Sequence, residues 1–373
     1  MHTKGLRTWI EVNRANLRNN YAFFRKLIGK KCRLMAVVKS NAYGHGLVDF
    51  SREMQKFGVD WLGVDSIVEA LTLRRRGIKK PLLVLGYTLP ENYRRAVAHN
   101  IRLSVSTFEG IAAAGRTGAV FHLKVDTGMH RQGFQESDIP RVLSALKKHH
   151  IKKSQFEGLF THLAAPANRK FLRATRTQIA QFKRIATLFE KAGYVPMKHT
   201  AATGGALFFP ESHFDMVRIG IGLYGLWPSA PLRAERRFGN KLKPALSWKT
   251  RISEIKKISK GEAIGYDFTH RLKREARVAI CPIGYWHGYP RALSNIGTAI
   301  IQGKLVPILG RVSMDMIVID ITRVPSASVG QEVMLIGYKG GVGIHADELA
   351  KKSGTTSYEI LTRLNPLMKK FYL

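Results

Sequence analysis

Between residue 13 and about residue 220 the chain alternates short apolar runs with longer segments whose apolar positions recur every three or four residues. The first pattern predicts buried parallel strands and the second amphipathic helices. The runs are LMAVV (34–38), WLGVD (61–65), LLVL (82–85), LSVS (103–106), VFHLKV (120–125), FEGLFTHL (156–163), HTAA (199–202) and MVRIG (216–220). Eight such runs, separated by segments such as ANLRNNYAFFRKL, SIVEALTLRRR and FLRATRTQIAQFKRIATLFEKAG, predict a (β/α)8 TIM barrel. The last segment ends at Gly193, which predicts a glycine helix stop.

The period then changes. Residues 227–244 hold Pro228, Pro231 and Pro244 without an apolar period, which predicts a crossover or linker. Beyond it LSWKTRISEIKKI, RVAICPI, GTAIIQGKLVPIL, MDMIVIDI and EVMLIGY follow one another without helices, broken by Gly and Pro, which predicts a mostly antiparallel β domain. HADELAKKSG and TSYEILTRLN read as two short closing helices. The expected fold class is α/β, with a TIM barrel over residues 1–236 and a C-terminal β domain over residues 237–373. The first ten or so residues are free to join the β domain.

Composition narrows the function classes. With 373 residues, 45% of them hydrophobic and 23% charged, the chain is too large for a small binding module and too apolar for wholesale disorder. The 61 Lys and Arg against 26 Asp and Glu leave a net charge of +35, which makes polyanions, anionic membranes and acidic metabolites the partners to consider. Yet RRRGIKK (74–80), KKHHIKK (147–153) and HRLKREAR (270–277) fall in separate elements, with no nucleic-acid module around them. A solvated basic surface and no specific nucleic acid are expected. Cys32 and Cys281 suit neither a zinc cluster nor a disulfide framework, so no metal and a reducing, cytoplasmic location are expected. MHTKGLRTWIEVNR has no signal-peptide core, and no apolar stretch approaches the roughly 18 residues of a membrane span.

Barrels carry their chemistry where strands end. Lys39 follows the first run, Lys124 and Asp126 end the fifth, His162 the sixth, His199 to Thr203 follow the seventh, and Arg218 to Ile221 end the eighth. Thr203, Gly220 and Ile221 lie after the last two runs, where barrels often bind a phosphate through N–H groups and a hydroxyl. Most lysines are solvated cations, but Lys39 follows the apolar MAVV, and burial there turns a lysine into a Schiff-base former or proton acceptor. An amine and a phosphate pocket on one rim suggest pyridoxal phosphate. Residues 220–225, GIGLYG, match a dinucleotide fingerprint, but Trp227-Pro228 follows where a helix is required and residues 236–247 contain no acid, so the match is a decoy.

Together VVKSNAYGHG, LKVDTGMHRQGF, THLAA, MVRIGIGLYG, IGYDFTH, PIGYWHGYPR, GRVSMDM and TSYEI resemble the alanine racemase family, in order and across nearly the whole chain. The resemblance implies a fold-type III pyridoxal-phosphate racemase that interconverts L- and D-alanine for peptidoglycan, a homodimer whose active sites are completed by the partner's β domain. It implies that Lys39 forms the Schiff base and is the D-face base, and that Tyr266 is the L-face base. Without the family, Tyr266 would read as a half-buried strand aromatic. Arg218 resembles the arginine bonded to the pyridine nitrogen; always protonated, it leaves the ring a poorer electron sink. By the same resemblance His199 orients Arg218 and His162 lies against the ring, core histidines being the competing reading for both. Tyr43, Thr203, Gly220, Ile221 and Tyr358 resemble phosphate contacts, Arg131 and Met314 substrate-carboxylate contacts, Lys124 a lysine often carbamylated, and Tyr285 and Tyr289 entrance residues.

Four positions depart from the family pattern. Ala202-Thr203 replaces Asn-Ser, His130 a common glycine, and Asp267 a frequent glycine. These leave the cofactor assignment in place and keep a broader serine or lysine racemase open as the nearest alternative. A decarboxylase of the same fold type would show a glycine-rich phosphate loop and a cysteine beside an acid, a setting that Cys281-Pro282 lacks. A non-catalytic pyridoxal-phosphate carrier resembles the barrel alone, and a nucleic-acid binder would account only for the charge.

Overall fold

The computed structural model describes residues 3–229 and 241–373. The chain forms two compact units, one of Ala15–Ala42 and Leu47–Lys243, the other of Met1–Arg14, Tyr43–Gly46 and Pro244–Leu373. Residues 230–240 of the expected linker, and with them the expected boundary at 236, lie outside the described residues.

Strand β1 (Thr8–Val12) belongs to the second unit. The first unit holds β2 (Arg33–Val37), β3 (Trp61–Val64), β4 (Leu82–Val84), β5 (Ile101–Val105), β6 (Phe121–Lys124), β7 (Phe156–Phe160), β8 (Met197–His199) and β9 (Met216–Ile219). They pair in parallel in the order β8-β7-β6-β5-β4-β3-β2-β9. Asp215 N–H donates to Lys198 O at 3.0 Å and Arg218 N–H to Ala201 O at 2.8 Å, which brings the two edges together into a barrel. Buried on both faces, the strands read as continuous apolar runs rather than alternating ones. The less buried strand positions cluster at the N-terminal ends, at Arg33, Arg102 and Glu157.

The covering helices follow from their spacing. Arg14–Ile28 buries Leu17, Asn20, Phe24 and Ile28, one stripe at intervals of three and four. Leu172–Lys191 is followed by Gly193, whose φ of +83° is left-handed and whose N–H reaches Glu190 O at 2.9 Å, as a glycine stop requires. After β9, residues 220–225 form a succession of turns and no helix, the arrangement expected for a decoy fingerprint.

In the second unit β10 (Leu246–Arg251) alternates buried and half-buried residues, as a strand with one face on a core does. The remaining strands are β11 (Glu254–Ile258), β12 (Ala263–Ile264), β13 (His270–Arg271), β14 (Ala276–Cys281), β15 (Thr298–Ile301), β16 (Lys304–Leu309), β17 (Ile317–Asp320), β18 (Glu332–Lys339), β19 (Val342–Ile344) and β20 (Lys370–Tyr372). The main sheet runs β11-β14-β17-β16-β15-β18-β10-β1-β20 and is antiparallel except for β1 with β20. Gln302 and Gly303, at φ +50° and +74°, turn β15 into β16 with the twist a tight hairpin needs.

Some of the basic charge is structural. Arg74 donates to the carbonyls of Ile78, Lys80, His99 and Asn100, and Arg277 to those of Val324, Pro325 and Ala327. Among the described residues no helix is long and apolar enough to cross a membrane.

Candidate active site

Lys39 stands at the C-terminal end of β2, after Val38, whose N–H donates to Gly63 O at 2.8 Å. The chain then makes a left-handed turn, with Ser40, Asn41, Ala42 and Tyr43 at φ of 55°, 55°, 50° and 50°. Each non-glycine residue there costs about 1–2 kcal/mol, so the turn needs supports. Asn41 N–H donates to Glu69 Oε1 at 3.3 Å, and Asn41 Oδ1 accepts from Leu47 N–H at 3.0 Å. Glu69 Oε2 also accepts Asp65 N–H at 2.8 Å, and Asp65 Oδ1 accepts from Lys39 Nζ at 3.0 Å. Glu69 therefore joins the turn to the residue that faces the lysine.

Across the rim the Arg218 guanidinium is buried among neutral acceptors. Nη1 donates to His199 Nδ1 at 2.8 Å and His199 O at 2.9 Å. Nη2 serves Thr161 O at 2.8 Å, Thr200 O at 3.0 Å and His162 Nδ1 at 3.3 Å. Nε–H is left without a protein partner among the described residues. Burial without a carboxylate lowers the Arg218 pKa to about 9. His162 drops to about 3, through burial first and then the charges of Arg218, Arg131, Lys124 and Lys39. His199 also lies well below its usual value, through burial and then Arg218. Both imidazoles are neutral, and the rim is a cluster of cations suited to an anionic ligand.

Arg131 is carried by a loop that Asp126 organises. Asp126 Oδ1 accepts the N–H groups of Gly128, Met129 and His130 at 2.9, 2.9 and 3.1 Å, and Oδ2 that of Arg131 at 3.0 Å. Burial works to raise the Asp126 pKa, but these bonds outweigh it and hold it down. His130 sits at φ +52°, where a glycine would be unstrained, so the departure from glycine is tolerated at a conformational cost. Lys124 Nζ donates to Gln132 Oε1 at 3.1 Å, and burial, then Arg131 and Arg218, lower its pKa to about 8.

Thr203 Oγ1 accepts from Gly222 N–H at 3.4 Å, which places the hydroxyl beside the turn that follows β9. Gly220 and Ile221 are buried, yet among the described residues neither N–H donates to a backbone carbonyl. Buried N–H groups without acceptors are rare, and these two suit a phosphate oxygen. At Gly222 a Cβ would fall on the Phe24 ring and press on the Thr203 methyl, which is why that position has no side chain.

In the β unit the Tyr43 and Tyr358 rings lie 6.0 Å apart, and burial raises the Tyr358 phenol to about 12. Tyr266 and Met314 are exposed, at 69% and 55%. Gly265 precedes Tyr266 at φ +75°, and Asp267 follows at φ +56°, a left-handed position that aspartate tolerates better than most side chains. Tyr285 N–H donates to Ser313 O at 3.1 Å and Trp286 N–H to Met314 O at 3.0 Å, so the Tyr285 and Met314 loops are joined. Tyr289 is a correction. It is 0% exposed, its ring packs 5.9 Å from that of Trp248, and its hydroxyl has no partner among the described residues, so it is a core residue and lines no entrance.

The model "Alanine racemase, N-terminal domain" matches residues 12–228, and "Alanine racemase, C-terminal domain" matches residues 245–372. The chain belongs to the alanine racemase family. An alanine racemase of Symbiobacterium thermophilum is 40% identical over 100% of this chain and 99% of its own length. Alanine racemase 2 of Bacillus subtilis is 36% identical over 98% of this chain and 94% of its own. The crystal structure of the Bacillus anthracis alanine racemase with bound L-Ala-P superposes with a TM-score of 0.91 at 34% identity, covering 98% of this chain and 95% of that one.

Reasoning from strand ends and family motifs passed over Asp65, Glu69, Gln132, His122 and Glu157. Asp65 closes the run WLGVD and was within reach of the strand-end rule. His122 and Glu157 lie inside strands, where the sequence carries no signal that distinguishes them from packing residues.

Proposed function

We propose that this chain interconverts L- and D-alanine, using pyridoxal 5'-phosphate held at the C-terminal rim of its barrel unit and two opposed bases, Lys39 and Tyr266. The observation that carries the reading is the Arg218 guanidinium, whose Nη groups are all engaged by neutral protein acceptors while Nε–H remains for a ring nitrogen. The residues of the barrel unit fit the cofactor: Lys39 offers the amine, Thr203, Gly220 and Ile221 the phosphate contacts, and His162 a neutral neighbour for the ring. When bound, the cofactor supplies an electron-withdrawing ring that makes the substrate's Cα–H acidic. Arg218 Nε–H would hold the ring nitrogen without surrendering a proton to it, which would restrain that withdrawal.

Lys39 Nζ takes the proton from the D-face of Cα, and Asp65 at 3.0 Å holds the resulting ammonium. The Tyr266 hydroxyl works on the L-face. Arg131 and the Met314 N–H receive the substrate carboxylate, and Tyr285 guards the approach. A lysine whose pKa is about 8 carries a substantial free amine near neutrality, which supports carbamylation of Lys124 and pairing of the carbamate with Arg131. The exposure of Tyr266 and Met314 supports a homodimer in which each β unit serves the partner's barrel. A cytoplasmic supply of D-alanine for cell wall belongs to the same reading.

The test is a screen of L-amino acids for conversion to D-enantiomers, with borohydride reduction and peptide mapping of the cofactor. Conversion of alanine with a pyridoxyl label on Lys39 is the expected result. Preference for serine or lysine would favour the broader racemase, and a label elsewhere would remove Lys39 from its role.

A further inference from the structure

A buried polar chain leaves Arg218 on the side away from its free Nε–H. His199 Nε2 lies 2.7 Å from His122 Nδ1, and His122 Nε2 lies 3.3 Å from Glu157 Oε2. Glu157 in turn accepts Arg102 Nε at 2.9 Å on Oε2 and Arg102 Nη2 at 3.3 Å on Oε1. Both histidines are 0% exposed, while Arg102 and Glu157 sit at the N-terminal ends of β5 and β7, so the chain runs through the barrel's interior from the cofactor rim to its base.

We propose that Glu157 is a positioning residue for Arg218, acting through His122 and His199 to fix the proton arrangement that presents the guanidinium to the cofactor ring. The proposal rests on the reading of Arg218 as the partner of the ring nitrogen. The argument is one of donors and acceptors. Arginine only donates, so His199 Nδ1 accepts. A neutral imidazole has one N–H, so His199 Nε2–H donates to His122 Nδ1, and His122 Nε2–H donates to Glu157. Only this arrangement satisfies every link while Arg218 stays charged. Reversing His199 sets its Nδ1–H against the Arg218 N–H, and reversing His122 sets its Nδ1–H against the His199 Nε2–H and its bare Nε2 against the Glu157 carboxylate.

Three further observations agree. His122 lies below its usual pKa, through burial first, and is neutral as the arrangement requires. Burial works to raise Glu157, but the bonds from His122 and Arg102 hold it at about 2, so the far end of the chain is always an acceptor. Room is made for the chain: a Cβ on Gly158 would fall inside the His122 ring, and the Phe160 ring stacks on His199 at 4.8 Å and 4°. Each neutral imidazole turns its acceptor towards the arginine and its donor towards the carboxylate, so a cation buried without an adjacent anion is stabilised by one two residues away.

The experiment compares the purified full-length enzyme with Glu157→Leu and Glu157→Gln, using 15N spectra of labelled histidine side chains together with kcat and KM. Single His122 and His199 substitutions assign the spectra. Wild type is expected to show both imidazoles neutral with the proton on Nε2. In E157L the two signals should depart from that state, and kcat should fall roughly tenfold, the effect of leaving one buried donor unsatisfied, with KM little changed. Because Oε2 accepts from both His122 and Arg102, the single carbonyl oxygen of glutamine can replace it. E157Q should therefore keep the tautomers and most of kcat while the lost ion pair lowers Tm.

Unchanged tautomers and kcat in E157L would overturn the proposal. If E157L does not fold, E157Q decides: a large loss of kcat with intact tautomers would overturn it, and retained kcat with lowered Tm supports it. Absence of a pyridoxyl label on Lys39 would instead refute the proposed function, and the histidine spectra would still report whether Glu157 orders the chain.

Discussion

Asp126 Oδ2 accepts the backbone N–H of Arg131 at 3.0 Å while Oδ1 holds the three N–H groups before it. The aspartate just after β6 is thus a loop builder, and Arg131, the proposed contact for the substrate carboxylate, is anchored to it through its own backbone N–H. In Asp126→Ala those N–H groups lose their acceptor and Arg131 its fixed origin. Steady-state kinetics should show KM for alanine raised roughly tenfold or more, with cofactor content near wild type. An unchanged KM would mean that Arg131 finds its place without the loop.

The two-base reading predicts complementation and a face preference. Inactive Lys39→Ala mixed with inactive Tyr266→Phe under subunit exchange should regain activity, since some heterodimers then contain one intact site. In Tyr266→Phe racemisation should fall by roughly 10² to 10⁴, the worth of a general acid or base, while deuterium wash-in at Cα remains faster from D-alanine than from L-alanine. Faster exchange from L-alanine would reverse the face assignment.

Glu69 supports the left-handed turn after Lys39 through Asn41 N–H and Asp65 N–H. Glu69→Ala should leave two N–H groups without acceptors and release a turn that is strained without them. Retention of bound cofactor during dialysis should drop severalfold, and Glu69→Gln, which keeps one carbonyl oxygen, should lie between. Equal retention in all three proteins would show that packing alone holds the turn.

Acid stability follows from the buried imidazoles. His122, His199 and His162 have native pKa values depressed by burial first, His162 to about 3, whereas an unfolded histidine titrates near 6.5. Above about pH 6.5 neither state is protonated and stability is complete; as pH falls below that value the unfolded chain takes protons the native one refuses, and stability is lost. Glu157, held at about 2, adds a further loss below the unfolded glutamate value near 4.3. Denaturant midpoints between pH 7.5 and 4.5 should therefore fall steadily from roughly pH 6.5, and His199→Gln should flatten the slope by up to about 1.4 kcal/mol per pH unit. A midpoint flat to pH 5 would contradict neutral burial.

Much of the barrel site was legible before the structure because barrel chemistry is local to strand ends. Once the eight apolar runs are recognised, the residues that close or follow each strand are placed on a rim by chain connectivity alone, and Lys39, Lys124, Asp126, His162, His199 and Arg218 are candidates of that kind. The change of period near residue 227 likewise announces the switch from parallel to antiparallel sheet, since a strand covered on both faces and one covered on a single face differ in pattern. What escapes such reading is who meets whom.

Tyr285 and Tyr289 are two aromatics in one short segment, yet one is 44% exposed and the other fully buried against Trp248. No local period distinguishes them; the loop's course over the β unit decides it. His122 and His199 are 77 positions apart and meet because the closed barrel faces two side chains across its interior. Connectivity and hydrophobic period determine which elements form and which ends carry chemistry. Hydrogen-bond partnership across the interior depends on strand register and closure, and those emerge only when the whole sheet has folded.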